Sequence, residues 1–136
     1  LKRSVFRLNL LILVSILSIG CTRSIVQTNV EEIKPANINE SVQNWVREIG
    51  DSEGIYIGRV SQTDKHEDYY IYLKNKRLIH YELKNDSYQG ISINIDTNDK
   101  ADLESRIIKI STRNKKAEYI ILNGKKIDVA NIQIIE

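Results

Sequence analysis

From Ile55 onward the chain is a succession of short apolar runs, rich in β-branched and aromatic residues and parted by polar turns. They are Ile55 to Val60, Tyr69 to Lys74, Leu78 to Leu83, Tyr88 to Asp96, Leu103 to Ser111, Ala117 to Leu122 and Lys125 to Ile135. Runs of this length and composition predict strands. Ile91, Ile93 and Ile95 alternate strictly with Ser92, Asn94 and Asp96, the signature of a strand with one apolar face. Asn123-Gly124 has the residues of a type I′ hairpin turn. It would pair Leu122 with Lys125 and Ile120 with Ile127, and set Ile120, Leu122, Ile127 and Val129 on one face. The apolar phase then jumps from Val129 to Ile132, which predicts a bulge at Ala130-Asn131.

Before the strands the period changes. Ile38, Val42, Trp45, Val46 and Ile49 form one stripe of an α-helix, with Glu40, Gln43, Asn44, Arg47 and Glu48 on its other sides. Asn37 or Asn39 can cap its start and Gly50 can end it. A three-turn amphipathic helix needs a surface to cover. The expected fold is therefore α+β, mainly β: an N-terminal helix packed on a curved antiparallel meander of six to seven strands, with a small β-barrel as the alternative. Antiparallel order is expected because parallel neighbours need long crossovers.

The segment Thr22 to Asn37 lacks sustained periodicity and holds the only proline, Pro35. It reads as a flexible tether. Ahead of it, Lys2, Arg3 and Arg7 precede an apolar run from Leu10 to Leu17, followed by Ser18, Ile19, Gly20 and Cys21. Basic, apolar and small-residue parts in this order make a secretory signal, and the run falls short of the ~20 apolar residues that span a bilayer.

Leu17-Ser18-Ile19-Gly20-Cys21 resembles the lipobox of bacterial lipoprotein signal peptides, departing from it at Ser18, where Leu is commonest. The resemblance covers residues 1–21 alone. It implies a diacylglyceryl group on the Cys21 sulfur and cleavage between Gly20 and Cys21, anchoring the chain on the extracytoplasmic face of the cell membrane. The expected organisation is a signal peptide over 1–20, a lipidated N-terminus and tether over 21–37, and a single domain over 38–136. Richness in Ile, Asn and Lys is compatible with an AT-rich, Gram-positive source.

Charge narrows the function. The 136 residues carry 20 basic and 18 acidic side chains, but Lys2, Arg3 and Arg7 belong to the leader, and the domain left is near neutral. Nucleic-acid binding, which rests on clustered cations, is not expected. Cys21 is the only cysteine, so no intramolecular disulfide can form.

Candidate chemistry is sparse. Asp64, His66, Glu67 and Asp68 crowd one loop without a recognised ligand spacing, so no metal or other cofactor is expected. Histidine is the side-chain type suited to proton transfer near neutrality; the chain has two, His66 and His80, and neither has an acid or nucleophile at catalytic spacing; Glu82 lies near His80. Seven tyrosines stand against one Trp and one Phe. Tyr70 and Tyr72 share a strand face and are the expected partner-binding pair. The basic turns Lys74-Asn75-Lys76-Arg77, Arg113-Asn114-Lys115-Lys116 and Lys125-Lys126 are expected to act as solubility devices, leaving no end of the sheet uniformly basic. The expectation is a non-enzymatic envelope lipoprotein that binds a protein or peptide in immunity, exclusion or regulation, with a small-molecule-binding or hydrolytic protein as the alternative.

Overall fold

The computed structural model describes residues 23–84, 88–99 and 106–136. The expected signal peptide, Gly20 and Cys21, and the first residues of the strand expected from Leu103, lie outside the described residues. Nine strands are described: β1 (Thr28–Ile33), β2 (Gly54–Ser61), β3 (Glu67–Lys74), β4 (Arg77–Lys84), β5 (Gly90–Asn98), β6 (Arg106–Thr112), β7 (Tyr119–Leu122), β8 (Lys125–Asp128) and β9 (Gln133–Ile134). One α-helix, α1 (Glu40–Glu48), lies between β1 and β2.

The chain is mainly β, as expected, but the strands make neither one meander nor a closed barrel. They form two mixed sheets, ordered β1-β6-β3-β2-β9 and β4-β5-β7-β8. Two neighbouring pairs are parallel, β2 with β9 and β5 with β7. The crossover that parallel β5 and β7 require is supplied by β6, which leaves the second sheet, pairs in the first between β1 and β3, and returns. A strand lent to the opposite sheet thus does the work of a crossover helix.

Three layers follow. Tyr69, Ile71 and Leu73 of β3 and Ile108 and Ile110 of β6 pack in one core with Ile91, Ile93 and Ile95 of β5 and Ile120 of β7. The opposite face of the first sheet carries Tyr70, Tyr72 and Ile107, which pack with Val42 and Trp45 of α1 and with Ile135. Every residue of β3 from Glu67 to Leu73 is buried, because one face looks toward the second sheet and the other toward the helix.

Helix α1 presents the expected stripe: Val42 and Trp45 are buried, and Ile38, Val46 and Ile49 pack beside them. Asn39 is the cap, its side-chain oxygen accepting the Val42 N–H at 2.9 Å. The helix stops without a left-handed glycine; Ile49 turns extended while its N–H still reaches the Trp45 carbonyl. Trp45 can approach the sheet because β2 offers Gly58. A Cβ there would lie 2.7 Å from Ile135 Cδ1 and 3.0 Å from the Trp45 ring.

The expected tether is corrected. Val26 is fully buried in the main core, and β1 pairs with β6 from Thr28↔Thr112 to Ile33↔Ile107. The domain therefore includes residues from Val26 on; Val30 packs against the main core and Ile33 against the helix-side cluster. The Asn123-Gly124 turn is as expected, with φ of 50 and 79° and the predicted pairing of Leu122 with Lys125 and Ile120 with Ile127. The bulge expected at Ala130-Asn131 is instead a 3-10 turn, Val129–Asn131, whose start is capped by Asp128 accepting the Ala130 N–H at 3.1 Å. A register shift occurs elsewhere, between Leu78 and His80 of β4.

Candidate functional site

The most deeply buried polar group is Glu67, at the start of β3 and 0% exposed. One carboxylate oxygen takes Arg59 Nη1 at 2.8 Å and the other accepts the Tyr69 hydroxyl at 2.7 Å. Its backbone N–H donates to Thr112 Oγ1 at 2.9 Å. Arg59 in turn donates from Nε to the Ile132 carbonyl at 3.2 Å, tying β2, β3, β6 and the C-terminal turn together. Burial, and next the hydrogen bond to Glu67, push the Tyr69 phenol well above its ordinary value of 10.0. A carboxylate so fully occupied by an arginine and a phenol is equipped to brace the core.

The other members of the expected acidic loop disperse. Asp68 points to the helix side of the first sheet, where it meets Gln62 Nε2 at 3.1 Å and Lys109 Nζ at 3.6 Å. His66 places Nε2 2.6 Å from the Arg113 carbonyl, so that nitrogen carries the proton, and Nδ1 faces Thr63 Oγ1 at 3.3 Å. Asp64 is exposed. Alternation along the strand sends Glu67 and Asp68 to opposite faces. Among the described residues no three His, Cys, Asp or Glu side chains come together as a metal site would need.

Tyr70 and Tyr72 do share a face, but it is the face under α1, where they are 4% and 5% exposed. They are not available as a docking pair, because β3 is a central strand covered on both sides. Burial pushes the Tyr70 phenol up; the Lys109 ammonium opposes this, and the Asp68 and Glu31 carboxylates reinforce it. Burial pulls Lys109 down, but Asp68, Tyr70 and Glu31 outweigh it and hold the ammonium above its usual value.

The open face of the second sheet holds a different group. The β4–β5 register sets His80 opposite Asp96 and Glu82 opposite Asn94, and these four line a shallow depression with Asn123. The Asn123 amide is occupied: Oδ1 accepts the Ile95 N–H at 2.6 Å and Nδ2 donates to the Ile95 carbonyl at 3.2 Å. Comparison with protein-family models, with curated proteins and with solved structures finds no match. Beside the depression, Ile79 stands 63% exposed at the register shift of β4, an edge strand. The exposed Ile79 was not singled out in the sequence: simple alternation puts it on one face with Tyr81 and Leu83, which turn to the core, and only the register shift between Leu78 and His80 sets it outward.

At one end of the first sheet the chain enters the domain. The Asn114 side chain accepts the Gln27 N–H at 2.8 Å and donates to the Ile25 carbonyl at 2.8 Å, while Arg113 N–H donates to the Gln27 carbonyl at 2.9 Å. Because β1 and β3 begin and β2 and β6 end here, the 62–66 loop and the 113–116 turn meet beside residues 23–27. Lys116 Nζ reaches Ser61 Oγ at 2.6 Å. The 113–116 turn, expected to act as a solubility device, lies with Arg23 and Lys65 at this end. Among the described residues no helix is long and apolar enough to cross a membrane.

Proposed function

We propose that this chain is an extracytoplasmic bacterial lipoprotein, held at the cell membrane by acyl chains on Cys21, whose domain is a non-enzymatic module that binds an envelope protein or peptide in immunity, exclusion or regulation. The observation that carries the anchoring is Leu17-Ser18-Ile19-Gly20-Cys21 directly behind a basic and apolar leader. A buried methylene contributes about 0.8 kcal/mol, so two chains hold where one binds marginally. For the binding role, support comes from the edge strand β4, with Ile79 exposed and the His80, Glu82, Asn94 and Asp96 side chains beside it. An edge strand can accept a partner's backbone while its side chains select the partner.

The test of the anchor is Cys21→Ser. Radiolabelled palmitate enters the parent chain and not the variant, and the variant leaves the membrane fraction. A variant that stays with membranes at the normal mature size overturns the reading. For the binding role, the lipidated chain used as bait in solubilised envelopes retains a protein that Ile79→Asp fails to retain; identical captures by both argue against β4 as the surface.

A second reading is favoured by one observation, the gathering of His80, Glu82 and Asp96 around a single depression. A small polar molecule could be held there, in a binding or hydrolytic protein. Resonances of His80 that shift on adding envelope-derived small molecules would support that reading over a protein partner.

A further inference from the structure

We propose that the end of the domain built from residues 23–27, the 62–66 loop and the 113–116 turn docks on anionic phospholipid headgroups; this rests on the anchor at Cys21 proposed above. Ile25 is the first residue whose backbone is pinned, its carbonyl taking the Asn114 amide. Four residue steps separate it from Cys21, a leash of at most about 14 Å at ~3.6 Å per residue. The headgroup layer is itself roughly 5–8 Å deep. An acylated Cys21 therefore keeps this end against the membrane surface.

The side chains at this end suit that neighbour. Arg23, Lys65, Arg113, Lys115 and Lys116 are gathered there against the exposed acids Asp64, Glu118 and Glu136, the last carried to the end of β2 by its parallel pairing with β9. The chain as a whole is close to neutral, so the excess is local. At the opposite end of β3, Lys74 and Lys76 are matched by Asp51, Glu53 and Asp99. Fixed cations within a Debye length of ~8 Å of an anionic surface are attracted by it at physiological salt. Ile25 adds an apolar contact: it is 40% exposed and adjacent to Val26, which enters the core. The pins from Asn114 and Arg113 hold Ile25 and the basic turn together, so leash, cations and isoleucine present one surface.

The test uses the full lipidated chain in vesicles of phosphatidylcholine and in vesicles where part of it is replaced by phosphatidylglycerol. Lysines are labelled with a membrane-impermeant acylating reagent and read by mass. Lys65 and Lys115 are expected to react several-fold more slowly on the anionic vesicles, with Lys125 unchanged. The difference should vanish toward molar salt, where the Debye length falls to ~3 Å. Arg23→Gln combined with Arg113→Gln should lose most of the protection while keeping the parent's Trp45 fluorescence. Equal labelling on both vesicles, or protection centred on another face, overturns the docking surface. The mass of the N-terminal peptide separates the two readings: an acylated chain without lipid-dependent protection refutes docking alone, whereas an unacylated chain refutes the anchor and the docking with it.

Discussion

Asn114 holds Gln27 by its backbone, accepting the Gln27 N–H at 2.8 Å, and the same carboxamide donates to the carbonyl of Ile25. One side chain from the turn after β6 thus fixes the point at which the N-terminal segment joins the first sheet. The bonds stand in solvent, and each contributes about 0.5–1.5 kcal/mol. Asn114→Ala is expected to leave the fold intact and to speed hydrogen exchange at the start of β1, from Gln27 to Asn29, with β3 unaffected. Uniform exchange changes, or none, would show that Asn114 does not hold this junction.

Glu67 and Arg59 form the ion pair at the heart of the domain. Removing one charge from a buried pair costs about 3–5 kcal/mol, because the other is stranded. Glu67→Gln should therefore lower stability by that order in urea unfolding. Replacing both, Arg59→Met with Glu67→Leu, should recover most of the loss. A double variant as unstable as the single one would mean that Tyr69 and Thr112, not Arg59, are the partners that matter.

Tyr69 links the same network to pH. Its folded phenol titrates above its ordinary value of 10.0, through burial and then Glu67, so the neutral form is favoured in the native state. The stabilisation is complete below pH 10. It declines above that by about 1.4 kcal/mol per pH unit, as the unfolded phenol ionises and the folded one does not. Tyr69→Phe should flatten the alkaline limb of a stability profile by that slope, leaving the neighbouring Tyr70, which is shifted the same way, to supply the remainder. An unchanged alkaline slope in the variant would contradict this.

At the helix, Trp45 lies over Gly58. Gly58→Val would force a Cβ into Ile135 and the Trp45 ring, and overpacking of this kind costs about 1–3 kcal/mol. Trp45→Ala should cost about 3–5 kcal/mol by emptying the space under α1. Thermal unfolding followed by circular dichroism checks both; a Gly58→Val protein as stable as the parent would show that the helix can lift at no cost.

Much of this was legible in the order of residues. The amphipathic stripe from Ile38 to Ile49, the Asn39 cap, the Asn123-Gly124 hairpin with its register and the inward face of β5 all depend on neighbours close in the chain. Turn chemistry and periodicity encode such relations directly. The tyrosine pair was misread although a signal was present: Tyr69-Tyr70-Ile71-Tyr72-Leu73 has no polar alternation, the mark of a strand buried on both faces. In β1, Glu32 and Ile33 break the alternation begun by Val26, Thr28 and Val30, and so an edge strand looked like linker.

What the sequence determined by itself is local: where strands and the helix lie, which way most side chains face, and the basic and apolar leader ending at Cys21. Only the tertiary structure decided which strands become neighbours. The turn at Asn75, with φ of 56°, resembles a hairpin yet carries the chain from one sheet to the other. A turn constrains the path of four residues, whereas pairing is settled by the apolar faces that must be covered at once. β3 has two such faces, and covering both demanded a helix on one side and a second sheet on the other.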